Sequence, residues 1–202
     1  MLFFLSGDEG SAGWISHKAV KTFYDDGDGL VLGPHCTKFL KSAIFDYFKM
    51  KEKFDILPYL YDFKKEPFAR FCEAGFLKGA RQGDALCLNL FYEAGFILAR
   101  HVKALIPNME QDMLQAEKGL KILRVGSVWK SWEYLQDGFV KGIKPDRDEE
   151  RLLTQFALLK YRACAKASFG AALWAANQLG IVVSADYNSM VEEFFHHRFQ
   201  DE

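Results

Sequence analysis

A strand, a tight turn and the start of a helix follow one another in residues 120–132, and this stretch constrains the fold most. Within residues 120–125, Leu120, Ile122, Leu123 and Val125 are apolar and two of them are β-branched, which predicts a mostly buried strand. Gly126 and Ser127 break that run, and a helical pattern begins at once, with one apolar face formed by Val128, Trp132, Leu135 and Phe139. The sequence therefore predicts a strand, a Gly-Ser turn and a helix with Ser127 as its N-cap.

This Gly-Ser turn has both a structural and a functional interpretation. A helix start concentrates unpaired backbone amides and the positive end of the helix dipole, so a phosphate or a polar ligand edge can dock there. The simpler interpretation is a corner with an ordinary serine cap. Spacing alone favours the corner, because a single Gly-Ser pair is far weaker than a full Gly-rich phosphate signature.

Composition favours a folded domain and disfavours one class of partner. The chain has 202 residues, half of them hydrophobic and nineteen of them Phe, which suits one sizeable domain or a lobe with an appendage. Lys and Arg total 26 against 27 for Asp and Glu, and no basic block occurs. Because binding to phosphate backbones depends on clustered positive charge, nucleic acid is not an expected partner.

The cysteines and the apolar runs indicate a cytoplasmic protein. Cys36, Cys72, Cys87 and Cys164 lie far apart without a Cys-x-x-Cys pair, which predicts reduced, packed thiols and no zinc site. His196 and His197 are adjacent and would point in different directions, so we expect surface residues and no metal site. The chain opens without a basic n-region, and no run reaches membrane-spanning length, so no membrane partner is expected.

Three glycines fall within the first turns of the predicted first helix, which the pattern of residues 14–20 extends to near Tyr24. Gly7, Gly10 and Gly13 each cost about 0.5–1 kcal/mol against Ala where they fall inside a helix. Such a cost is often offset where the backbone approaches another segment closely. The alternative is a loop with acidic residues at the helix start, and the sequence leaves both open.

The rest of the chain predicts mostly helices. Helical patterns cover residues 39–47, 68–80 and a long segment from an Asp84 N-cap to residue 105, with Phe71, Phe76, Phe91 and Phe96 expected in the core. Residues 156–161 indicate a second strand, and residues 163–179 an Ala-rich helix stopped by Gly180. Residues 190–199 predict a final amphipathic helix.

Two segments carry a resemblance to a known family. Gly7-Asp8-Glu9-Gly10-Ser11-Ala12, followed by Trp14-Ile15, and Val125-Gly126-Ser127-Val128-Trp129-Lys130-Ser131-Trp132-Glu133 resemble the N-acetyl-D-glucosamine kinases of animals. Shorter matches at residues 83–84, 94–95, 100–101 and 170–173 follow in the family's order, so the resemblance spans essentially the whole chain. Departures are Gly13, small length changes between residues 62 and 79, and the tail after Ile181.

The resemblance implies an α/β fold of the actin-like ATPase, or ribonuclease H-like, class. The chain would be the C-terminal three-fifths of the kinase, a helix-rich lobe with a short central sheet. Residues 1–180 would form that lobe, and residues 181–202 a C-terminal tail helix packing on the first lobe. The implied activity is transfer of the γ-phosphoryl group of ATP to the 6-hydroxyl of N-acetyl-D-glucosamine, with Mg²⁺ as cofactor and a homodimer among the expected assemblies.

The resemblance also assigns site residues. By position in the matching segments, Asp8 corresponds to the family's sugar-binding acidic residue. Gly126, Ser127 and Ser131 correspond to the nucleotide-binding turn and helix. Ala69, within Phe68-Ala69-Arg70-Phe71-Cys72, corresponds to a further nucleotide contact.

No candidate catalytic residue is expected within these residues. The family's Gly-rich phosphate loop, catalytic aspartate and second phosphate loop would lie upstream of Met1, and no Gly-Gly-Gly-Thr or Thr-Asp-Ala-like motif occurs in the sequence. Two alternatives follow. The chain is part of a sugar kinase, or it is a non-catalytic product that binds nucleotide weakly or associates with other proteins.

Overall fold

The computed structural model describes residues 8–62, 65–145, 153–162, 167–184, 186 and 188–199 as a helix-rich α/β structure. The α-helices are α1 (Ala12–Gly27), α2 (Lys38–Phe48), α3 (Leu57–Tyr61), α4 (Lys65–Phe71), α5 (Leu77–Arg81), α6 (Ala85–Lys103), α7 (Gln111–Leu114), α8 (Trp132–Ile143) and α9 (Ala167–Gln178). A π-turn (Cys72–Phe76) joins α4 to α5, and 3₁₀ turns occupy Lys53–Ile56, Ile106–Asn108, Ser127–Ser131 and Asn188–Met190. The strands are β1 (Leu120–Arg124), β2 (Gln155–Tyr161) and β3 (Val191–Arg198).

The chain divides into two compact units. The helical unit comprises residues 1–104 and 127–143, and the sheet unit comprises residues 105–126 and 144–202. Each unit is therefore built from two separate segments of the chain.

Two helix starts in the helical unit are fixed by the side chains that precede them. Ser11 caps α1, accepting a hydrogen bond from the amide of Trp14 at 3.1 Å, and Asp84 caps α6 by accepting from the amide of Cys87 at 2.9 Å. The Asp84 cap confirms its prediction from the sequence. The core beneath these helices is rich in fully buried rings, which confirms the expectation for Phe71, Phe76 and Phe91, whereas Phe96 is only half-buried.

Helices α6 and α8 cross with their backbones in contact. A Cβ atom at Gly95 would overlap the carbonyl oxygen of Leu135, and one at Gly138 would overlap the carbonyl oxygen of Tyr92. Only glycine leaves room for such an approach, since any side chain would separate the two backbones. This crossing fixes α8 within the helical unit, together with the 3₁₀ turn that leads into it.

The sheet unit contains a mixed sheet in the order β1-β2-β3 across the described strands. β1 runs parallel to β2, with Leu120 opposite Phe156, and β2 runs antiparallel to β3. Phe156, Ala157 and Leu158 are fully buried, as expected for a central strand. Both predicted strands, at residues 120–125 and 156–161, are present. The expectation that the first is mostly buried was wrong, because only Leu120 of β1 is buried and Leu123 is 39% exposed.

The tail predicted as a C-terminal helix is instead strand β3, so that prediction was wrong. Leu158 pairs with Phe195 and Leu159 with Glu193, which makes Phe194 the extra residue of a β-bulge. The bulge breaks the two-residue alternation of a strand and leaves apolar residues at positions 191, 194 and 195. That spacing imitates a helix face, which is why periodicity misled the prediction.

The two histidines of β3 differ in their surroundings. His196 is exposed as expected, but His197 is half-buried and packs edge-on against Phe199, with ring centroids 4.8 Å apart. Burial first, and the charge of His196 second, lower the pKa of His197. The prediction of a surface residue was therefore wrong for His197, because its strand face is lined by aromatic rings.

The Ala-rich helix is confirmed as α9, and Gly180 follows it with a φ of +72°. Residues 163–166 of the prediction lie outside the described residues, and so does Cys164. Over the ranges that the structure describes, no helix combines the length and the apolar character needed to cross a membrane.

Candidate functional site

A cavity of about 140 Å³ opens in the wall of the helical unit. It is lined by the start of α1, by one side of α4, the π-turn and α5, and by the 3₁₀ turn before α8: Ala12, Ala69, Cys72, Glu73, Leu77, Arg81, Ser127, Val128, Lys130 and Ser131. For comparison, a cavity of roughly 150 Å³ in a protein core holds one benzene ring. The volume therefore suits a planar ring system rather than a whole nucleotide.

Three residues assigned to nucleotide from the sequence meet in this cavity. Ala69, Ser127 and Ser131 all line it, although Ala69 lies far from the other two along the chain. Gly126 does not form part of the wall. Its φ of +110° instead makes the turn between β1 and Ser127, a conformation that favours glycine.

The helix predicted to begin at Ser127 starts later. Residues Ser127–Ser131 form a 3₁₀ turn, and the α-helix begins at Trp132. Two serines and the β-branched Val128 are weak α-helix formers, which favours the tighter turn here. Ser127 therefore belongs to the turn itself and is not the N-cap of α8. The two serines still share the cavity.

Aromatic packing holds the 3₁₀ turn in place. The Trp129 ring lies 5.9 Å from that of Trp132, and both lie 5.6 Å from the ring of Phe139 on α8. Ser131, in the same turn, is only 6% exposed, whereas Ser127 is exposed. The turn thus places the buried Ser131 in the cavity wall and the exposed Ser127 at the cavity rim, and the aromatic packing holds both in position.

The cavity wall carries charge of both signs. Glu73 contributes a carboxylate, and Arg81 and Lys130 contribute two cations. Burial, assisted by the charge of Glu73, raises the pKa of the Cys72 thiol to about 12. Cys72 is therefore a neutral, poorly nucleophilic thiol near neutral pH and acts as an apolar part of the wall.

Asp8, the predicted sugar ligand, lies next to the start of α1. Its Oδ2 atom is 3.1 Å from the Nζ atom of Lys65 and 3.7 Å from the point where a Cβ atom at Gly13 would be. The Asp8 side chain is 44% exposed, so its carboxylate can be reached from solvent. Asp8 therefore flanks the helix start that also contributes Ala12 to the cavity.

His17 and Gly10 lie in the same part of the chain as Asp8. The His17 ring stacks on Phe68 at 3.9 Å, and burial first and the charge of Lys65 second lower its pKa. Gly10, with a φ of +85°, leaves no room for a side chain against Leu98. Gly10 lies in a turn before α1, which agrees with the loop alternative, and it also approaches Leu98 closely. Gly7 lies outside the described residues.

Sequence reasoning missed the charged residues of the wall. Glu73 and Arg81 lie on a helix whose regular 3.6-residue period is interrupted by the π-turn, so a periodic pattern does not place them together. Lys130 was visible in the matched segment but carried no assignment.

Comparison with known proteins adds no family assignment, since no protein-family model matches the chain. Within the described residues, no group of three or more His, Cys, Asp or Glu side chains is placed to hold a metal ion.

Proposed function

We propose that this chain contributes the nucleotide-binding and part of the sugar-binding surface of an actin-like N-acetylglucosamine kinase. The observation that supports this most is the meeting of Ala69, Ser127 and Ser131 in one cavity. The family resemblance assigns these three residues to a single ligand. A chance meeting is less expected for residues from distant segments than for neighbours on one helix.

In this proposal the cavity binds the base of ATP and its rim binds the polar remainder. Ser127 and Ser131 offer hydroxyls that donate and accept hydrogen bonds, and Arg81 and Lys130 supply positive charge for phosphate oxygens. Mg²⁺ belongs to the MgATP substrate, where it offsets phosphate charge. Phosphoryl transfer depends almost entirely on positioning and on electrostatic stabilisation, which is the kind of contribution these residues make.

Asp8 has a separate role in the proposal, as an acceptor for hydroxyl groups of N-acetylglucosamine. A carboxylate has two oxygens and can accept hydrogen bonds from two neighbouring hydroxyls at once. Lys65 holds one of these oxygens at 3.1 Å, which fixes the carboxylate beside α1. The start of α1 thus lines the proposed nucleotide cavity through Ala12, and Asp8, the proposed sugar-binding residue, lies nearby.

Replacement of Ser127 by leucine tests the nucleotide assignment. We expect Ser127→Leu to weaken ATP binding by about 10- to 100-fold, because a larger apolar side chain fills the rim of a small cavity. Isothermal titration of ATP into the purified chain measures the effect. Glu133→Gln is the matched control, since Glu133 lies two residues beyond Ser131 and outside the cavity wall. Equal ATP affinity in wild type and Ser127→Leu would remove the assignment.

Replacement of Asp8 by alanine tests the sugar assignment. In a kinase that carries both lobes, Asp8→Ala should raise the KM for N-acetylglucosamine by about 10- to 100-fold, because a charged hydrogen-bond acceptor is lost. The KM for ATP should change little. Asp25→Asn is a suitable control, because Asp25 pairs with Lys21 on the same helix at 2.6 Å. A rise in the KM for ATP alone would place Asp8 in a different site.

The alternative, a product that acts through protein association, has one observation in its favour. Several large apolar side chains of the sheet unit are widely exposed, among them Trp174 at 68%, Leu179 at 75% and Val182 at 96%. Apolar surface of this kind often marks a contact with another protein. A chain can both associate with another protein and bind nucleotide, so these exposed side chains do not argue against nucleotide binding in the cavity.

A further inference from the structure

The π-turn gives the nucleotide cavity a feature that the family resemblance does not assign. Ala69, Glu73, Leu77 and Arg81 all line the cavity, and they are spaced by four residues each. In an uninterrupted α-helix this row would drift by about 120° around the axis over twelve residues, since each residue turns by about 100°. Such a row could not face a single small cavity along its whole length.

The π-turn Cys72–Phe76 removes most of that drift. A turn closed by an i→i+5 hydrogen bond takes up one residue more than an α-helical turn, which offsets about 100° of rotation. Gly75 allows the turn to pack, because a Cβ atom there would overlap the ring of Phe71. The irregular turn therefore aligns Glu73 with Ala69, Leu77 and Arg81.

This alignment separates charge along the cavity. Glu73 and Arg81 lie eight residues apart, or roughly 12 Å along a helix axis. Glu73 thus lies nearer the N-terminal end of the row, and Arg81 lies at its C-terminal end. A nucleotide has a matching polarity, with hydrogen-bond donors on its base and negative charge on its phosphates.

We propose that Glu73 is a specificity-determining residue that accepts a hydrogen bond from the 6-amino group of adenine and disfavours purines with a 6-oxo group. This inference rests on the proposed function, because it takes the cavity as the site for the base. A carboxylate only accepts hydrogen bonds, so it pairs with an amino group and repels a carbonyl oxygen. Arg81 is a cation and attracts the phosphates to its own end of the row, which keeps them away from Glu73.

The effect should be moderate, since the Glu73 side chain is exposed and water screens its charge. A hydrogen bond to a charged group typically changes a binding constant by about 10- to 100-fold, and exposure favours the lower value. We therefore expect the chain to bind ATP about tenfold more tightly than inosine triphosphate, which carries a 6-oxo group in place of the 6-amino group.

The test measures the ratio of ATP to inosine triphosphate affinity by isothermal titration in wild type and in Glu73→Gln. The glutamine amide can donate to a 6-oxo group or accept from a 6-amino group, so Glu73→Gln should reduce the ratio to within about twofold of one. The control is Glu66→Gln, because Glu66 lies on the same helix and pairs with Arg70 on the exposed surface. This control should keep the wild-type ratio.

Two results would overturn the inference, and they are distinguishable. If ATP binds to wild type but Glu73→Gln leaves the ratio unchanged, Glu73 does not contact the base and the proposed function stands. If wild type binds neither nucleotide, both the proposed function and the role of Glu73 are wrong. A ratio that collapses in Glu73→Gln and persists in Glu66→Gln would support the inference.

Discussion

Replacement of Gly138 by alanine is expected to destabilise the helical unit by about 2–3 kcal/mol. The added methyl group would overlap the carbonyl oxygen of Tyr92, which belongs to the backbone of α6 and cannot rotate away. Alanine stabilises a helix interior by about 0.5–1 kcal/mol relative to glycine. The measured loss of stability is therefore smaller than the cost of the overlap by that amount. Urea unfolding at an unchanged m value measures the difference in free energy of unfolding.

Gly170→Ala provides the matched control for Gly138→Ala. Gly170 also lies inside a helix, α9, but an added Cβ atom there would have no neighbour within 4 Å. We expect this variant to be neutral or slightly stabilised. Equal unfolding midpoints for the two variants would mean that α6 and α8 do not cross with their backbones in contact.

The crossing of α6 and α8 could not be predicted from the sequence, although parts of both helices could. The long apolar stripe of α6 and its Asp84 cap were predictable, because both depend on residues close in sequence. Gly95 and Gly138 have no local signature, since a glycine inside a helix only lowers confidence in that helix. Their role depends on which two helices meet, and that is set by the packing of distant segments.

Strand β3 shows a second reason why prediction from the sequence failed. Residues 191–198 contain apolar residues at helical spacing, and only pairing with β2 shows that Phe194 is a bulged residue. A β-bulge and an amphipathic helix can produce the same local pattern of apolar residues. The partner strand decides between them, and single-sequence periodicity contains no information about that partner.

For the candidate site, the predictable part was the part with a distinctive local sequence. Ala69, Ser127 and Ser131 were assigned by resemblance, and all three line the cavity. Glu73 and Arg81 could not be grouped with them, because the π-turn that aligns these residues depends on the packing of Gly75 against Phe71. Residue spacing predicts shared faces only where the helix is regular.

These 202 residues, expressed by themselves, are expected to give no measurable phosphorylation of N-acetylglucosamine. The sequence contains no match to the phosphate loops or the catalytic aspartate of the family that it resembles. A general base contributes typically about 10²–10⁴ in rate, and positioning of the reactants can contribute roughly 7–11 kcal/mol. ATP and sugar contacts from Ser127, Ser131 and Asp8 cannot replace these contributions, because binding alone does not align the two substrates.

The measurement is formation of the sugar 6-phosphate by monodisperse protein that has been freed of host kinases. Exposed Trp174 and Val182 make self-association a concern, so size-exclusion chromatography must precede the assay. The Ser127→Leu variant serves as the blank, because a contaminating kinase would be equally active in both preparations. If wild type forms the 6-phosphate and Ser127→Leu does not, the catalytic base lies within these residues. The alignment to the resembled family would then be misplaced, and the Asp8 assignment would have to be reconsidered first.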